Sequence, residues 1–93
     1  MLRVSVISRC LEKAVLKVEG WISGQDVRLL EEEGARCLAS SKHLTLDLDG
    51  VRFIDKAGMA LLKRWSEGGV ALKGGSWFVK MLLATHGLNG SKA

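Results

Sequence analysis

Apolar and polar residues alternate twice near the start of the chain before they recur at helical spacing. "RVSVIS", residues 3–8, predicts a short strand. "KAVLKVEGWI", residues 13–22, predicts a second, with Ala14, Leu16 and Val18 on one side and Val15, Lys17 and Glu19 on the other. "RCLE" between them suits the turn of a hairpin. From residue 23 the period changes. Val27, Leu30, Cys37 and Leu38 fall on one helical stripe, Gly34 permits close approach to a support, and Ser23 with Asp26 is read as a capping box. Glu31, Glu32 and Glu33 form a solvated face.

Alternation returns at 43–49, where Leu44, Leu46 and Leu48 face away from Thr45, Asp47 and Asp49, and a turn is expected between this strand and the acid that opens the next helix. A second helix follows, with Asp55 as N-cap, Met59, Leu62 and Trp65 as its stripe, and Gly68-Gly69 as its stop. "VALKG" is a short fourth strand. The third helix has Ser76 as cap, Val79, Leu82, Leu83 and His86 along it, and Gly87-Leu88 as its end, His86 being structural there. Residues 89–93 form a flexible tail. The order is β-β-α-β-α-β-α. That order predicts an α/β fold with a mixed sheet of about four strands and three helices, the helices serving as crossovers between parallel strands.

Length adds one constraint. A chain of 93 residues is a single domain, 1–93, large enough to stand on one core. Net charge is +4, and the basic excess lies beyond residue 55, in Lys56, Lys63, Arg64, Lys73 and Lys80. The cations are scattered and aromatic residues are few, so a protein surface rather than nucleic acid is the expected complement. Cys10 and Cys37 sit far apart, with no CxxC or Cys/His spacing. They read as small buried thiols in a reducing compartment, and no metal site is expected. The start of the chain, with charges at Arg3, Arg9, Glu12 and Lys13, holds no apolar run long enough for a signal peptide or a spanning helix. The expectation is a cytoplasmic protein without membrane insertion.

Two chemistries compete for "LDLDGVRFIDKAGMALL". "DLDG" resembles the opening motif of haloacid-dehalogenase-type phosphatases, in which Asp47 would be the nucleophile, Asp49 the general acid, and Mg²⁺ the counter-charge. That chemistry also needs further carboxylates on later strand ends. After Asp55 the only acid is Glu67. A phosphate receiver would need an acidic pair at the end of the first strand, and "VSVISR" supplies none.

The second half of the stretch resembles the signature of STAS domains, the family of bacterial anti-sigma factor antagonists. Their pattern is a strand ending in Asp, a short apolar-aromatic step, then Asp-Ser-Ser/Thr-Gly opening a helix. Here it is met by Asp47, Val51, Phe53, Ile54, Asp55 and Gly58, followed by Met59 and Leu62. The resemblance extends over residues 13–90. It implies a non-catalytic module, without cofactor, that docks a protein partner through Asp55, Lys56, Ala57, Gly58 and Met59, with Trp21 and Ser23 from the preceding loop. Of the tryptophans, Trp21 is expected to be the most exposed, Trp65 and Trp77 to be packing residues. The family's phosphoacceptor falls on Ala57, which has no hydroxyl, so the phosphoryl switch is lost there. Two kinds of partner remain open. One is an anti-sigma factor or serine-kinase-like regulator. The other is the ATPase of a phospholipid-transport ABC system, of which the chain would be a small cytoplasmic subunit. A monomer or weak homodimer is expected. Mg-dependent phosphatase chemistry at Asp47 and Asp49 is the distant alternative.

Overall fold

The computed structural model describes residues 2–85 and 87. His86, Leu88 and the tail at 89–93 lie outside the described residues. The elements are β1 (Leu2–Arg9), β2 (Lys13–Ile22), α1 (Asp26–Ser40), β3 (His43–Ile54), α2 (Lys56–Glu67), β4 (Ala71–Lys73) and α3 (Trp77–Thr85). The strands form one sheet in the order β1-β2-β3-β4. β1 and β2 are antiparallel, whereas β3 is parallel to both β2 and β4. The expected α/β order and mixed sheet are thus what the chain forms.

Both crossovers, β2-α1-β3 and β3-α2-β4, step the same way across the sheet. Right-handed connections therefore place both helices on one face. The inward residues of β2 and β3 (Ala14, Leu16, Val18 and Ile22; Leu44, Leu46, Leu48, Val51 and Ile54) meet Leu30, Cys37, Leu61, Leu62, Val79 and Leu83 of the helices in a single core. Residues on the other face, among them Lys17, Thr45 and Asp47, stay half-buried.

Three local expectations need correction. The strand containing Asp47 does not end at Asp49 but continues to Ile54. Gly50 is what lets it pass β2: a Cβ there would lie 2.6 Å from Glu19 Cγ. The β2–β3 register slips between Lys17 and Glu19 and again between Gly20 and Trp21. These slips rephase the inward positions from Leu48 to Val51 and Ile54. Second, Ser23 and Asp26 make no capping box. Helix α1 begins at Asp26 behind Gln25, whose side chain makes no capping bond. Of the expected stripe, Leu30 and Cys37 are buried together with Gly34, whereas Leu38 is exposed. Third, only Cys37 is buried; Cys10 is exposed in the hairpin turn.

Gly34 does allow close support. A Cβ there would overlap Cη2 and Cζ2 of Trp65, so the tip of the α2 indole packs against the backbone of α1. Ser76 caps α3, its Oγ accepting from Val79 N–H at 3.3 Å. The loop after α1 is tied to the hairpin turn by Ser41 Oγ donating to Cys10 O and by Lys42 N–H donating to Leu11 O at 2.9 Å.

Candidate functional site

The C-terminal ends of the neighbouring parallel strands β2 and β3 deliver two loops side by side, and Asp55 joins them. Asp55 has extended backbone (φ −88°, ψ −175°) and stands at the N-cap of α2. Its Oδ1 accepts from Gly58 N–H at 2.8 Å, which satisfies an amide that the first helical turn would leave free. Its Oδ2 accepts from Gly24 N–H at 3.0 Å, across 31 residues of sequence. Gly24 has φ +59°, so its amide reaches the carboxylate from a backbone conformation that side chains disfavour. Donation by Gly58, and then by Gly24, holds the Asp55 carboxyl below its ordinary value of 3.8, against a smaller opposing effect of burial.

Gly58 serves packing. A Cβ at this position would come within 2.6 Å of Ile22 O and 2.7 Å of Ile22 Cγ2. Only a hydrogen there lets the first turn of α2 rest on the end of β2. Asp55 N–H in turn donates to Ile22 O at 3.0 Å. The motif glycine and the motif acid thus fix the same strand end from two sides.

The expected docking residues divide into two sets. Lys56 and Ala57 are exposed, Ser23 and Asp55 half-buried, and Trp21 is 52% exposed. Gly58 and Met59 are buried, contrary to a role as contact residues; Met59 lies in the core with Ile54 and Leu62. Met59 follows the inward stripe of the helix, one turn after Asp55, and that stripe takes it away from solvent. Lys56 forms no ion pair among the described residues. The adjacent Asp55 has both oxygens engaged by amides.

Phe53 belongs to this surface although the motif reading placed it only as a spacer. It pairs with Trp21 in the β2–β3 register. The two rings lie 5.7 Å apart at 58°, and Phe53 is 40% exposed. The signal was present in the inward phase of Ile22 and Ile54, which turns Trp21 and Phe53 outward together. On the α1 side, Gly24, Gln25, Arg28, Leu29 and Glu32 line a shallow hollow.

Asp47 and Asp49 lie further back along β3 and serve the backbone. Asp47 Oδ1 accepts from Asp49 N–H at 3.0 Å. Asp49 Oδ1 accepts from Gly75 N–H at 2.8 Å, fixing the β4–α3 loop. Among the described residues, no group of three or more His, Cys, Asp and Glu is placed to hold a metal ion.

A family model described as "Mlab, STAS domain" matches residues 6–90. No curated protein matches the chain. Among solved structures, the anti-sigma factor antagonist SpoIIAA in its unphosphorylated form superposes with a TM-score of 0.76. The match covers 94% of this chain and 83% of that one at 18% identity, a likeness of fold. With the signature Asp55-to-Gly58 at the β3–α2 corner, and with the family model spanning nearly the whole sequence, the chain belongs to the STAS domain family.

Proposed function

We propose that the chain is a non-catalytic, cytoplasmic protein-binding module of the anti-sigma factor antagonist type, docking its partner at the β3–α2 corner. One observation carries this reading. Asp55 ties the corner to the Gly24 loop, so Lys56 and Ala57 stand outward on a rigid support beside the Trp21–Phe53 pair. A fixed, displayed edge with aromatic anchors and an unpaired cation suits a partner that brings carboxylates. Ala57 occupies the family's acceptor position. Docking here is therefore constitutive, set by abundance rather than by phosphorylation. Asp47 and Asp49 act as braces, which argues against a nucleophile and acid pair.

A second reading is favoured by the description of the matching family model, which names Mlab rather than an anti-sigma factor antagonist. In it the same corner presses on the ATPase of a phospholipid-transport ABC system. Affinity purification from the native cell distinguishes the two by the protein that co-purifies. Lys56→Glu and Ala57→Asp both put negative charge on the displayed edge. Each is expected to weaken that partner about tenfold or more, because like charges brought together at an interface cost several kcal/mol. Retention of wild-type affinity by both variants, with unchanged circular dichroism, would move the docking surface elsewhere.

A further inference from the structure

Helix α3 is apolar on both of its faces. Val79 and Leu83 point into the core, whereas Trp77 is 76% exposed, Met81 49% and Phe78 48%. Trp77, Met81 and Ala84 recur at i, i+4 and i+7 and form one outward stripe opposite the buried one, with Phe78 beside it. A helix that is apolar all round is ordinarily enclosed. Here the outer stripe has no cover within the described residues, and it contains the most exposed tryptophan of the chain, where Trp21 was expected to hold that place.

Two cations flank the stripe. Lys80 is the only charged residue of α3 and is exposed on its flank. Exposed Arg52 lines a hollow together with Phe78 and Ser76. The acid in that hollow, Asp49, is engaged by Gly75 N–H. Neither Lys80 nor Arg52 makes an ion pair among the described residues.

Three occupants can be weighed. A second copy would set Lys80 and Arg52 against their own images, which is unfavourable. A protein groove ordinarily exchanges about one hydrogen bond per 100–200 Å². From Trp77 to Ala84 the one neutral hydrogen-bonding side chain is the Trp77 indole, a single N–H on a large apolar body that suits the headgroup boundary, and the Ser76 hydroxyl accepts from Val79 N–H. Apolar atoms flanked by two cations free of ion pairs among the described residues, on a convex helix, are what the boundary between lipid headgroups and acyl chains accommodates.

We propose that the outer face of α3 rests on an anionic lipid surface, with Trp77, Phe78 and Met81 in the headgroup boundary and Lys80 and Arg52 among the phosphates. The contact is peripheral; no helix among the described residues is long and apolar enough to cross a membrane.

The test is co-sedimentation of the full chain with vesicles of phosphatidylcholine alone and of phosphatidylcholine mixed with phosphatidylglycerol. Binding is expected only to the mixed vesicles, and it weakens as salt is raised. Lys80→Gln lowers the partition coefficient about fivefold, the loss of one cation near a charged surface. The double variant Trp77→Ser/Met81→Ser lowers it about tenfold or more, since affinity scales with the apolar area buried. Both changes are on exposed positions, and an unchanged melting curve certifies the fold. Absence of binding to the mixed vesicles at low salt overturns the proposal, as does wild-type binding by both variants. Self-association that Trp77→Ser abolishes, without vesicle binding, overturns it in favour of a second copy.

Discussion

Asp55 meets two amides with its two oxygens, and substitution separates the two contributions. Asp55→Ala removes both and is expected to cost about 1–2 kcal/mol at neutral pH, the range for loss of a helix N-cap. Asparagine keeps one carbonyl oxygen for Gly58 N–H but turns an NH₂ toward Gly24 N–H, donor against donor. Asp55→Asn therefore retains the cap and loosens the loop. The pH dependence follows from the lowered pKa. The folded value lies below the unfolded one, so this carboxylate contributes stability that is fully present above about 3.8 and is lost as pH falls through the folded value. Urea unfolding of wild type and Asp55→Ala should accordingly differ most near neutrality and converge in acid. A gap that persists there would mean that the charge of Asp55 does nothing for the fold. Gly58→Ala tests the neighbouring contact. Its methyl meets Ile22 O, which is backbone and cannot move aside, so a loss of about 1–3 kcal/mol is expected in the same assay. Ala57→Ser, in contrast, adds a hydroxyl at an exposed position and should leave stability within about 0.5 kcal/mol.

Packing of α1 on α2 depends on the Gly34–Trp65 contact, which a double-mutant cycle measures. Gly34→Ala is expected to cost about 1–3 kcal/mol because the new methyl falls inside the indole. Most of that cost should vanish when Trp65 is already leucine, giving a coupling of about 1 kcal/mol or more. Strict additivity would show that the ring simply swings away. This pair also marks how far the chain can be read without coordinates. Gly34 was legible as a close-approach residue because it lies on an apolar stripe, but its partner was not, since Trp65 is on another element. The start of α1 fails for a related reason. Ser23 and Asp26 have local capping spacing, yet Asp26 N–H donates to the Ser23 carbonyl at 3.1 Å, in a turn whose Gly24 amide is held by Asp55, far away in sequence. Strand β3 was cut short at Asp49 because its alternation breaks where the register slips, and a slip depends on the neighbouring strand. At the corner, Asp55 and Gly58 were evident from the motif. The burial of Met59 follows from its place on the helical stripe, against the contact role that the motif implied, and the outward turn of Phe53 follows from the inward phase of Ile22 and Ile54.

One core joins every element except the strand β1, whose Leu2 and Val4 pack against it only in part. Nothing in that core divides the molecule into parts that would open separately, so unfolding should be a single cooperative event. The two thiols give a direct readout. Cys10 sits exposed in the hairpin turn, whereas Cys37 is 1% exposed between α1 and the sheet. A thiol reagent should modify Cys10 at once and Cys37 only when the core opens. In a Cys10→Ser variant, the free energy of opening obtained from Cys37 labelling should equal that from urea unfolding followed by tryptophan fluorescence, with the same dependence on denaturant. A labelling free energy well below the global value would mean that α1 lifts from the sheet by itself. That outcome would also weaken the corner as a rigid docking edge, because the Gly24 amide that Asp55 holds lies at the entry to this helix. Equality, in contrast, places α1, the corner and the sheet in one folding unit, so that substitutions at Asp55 or Gly58 should shift Cys37 protection by their full cost in global stability.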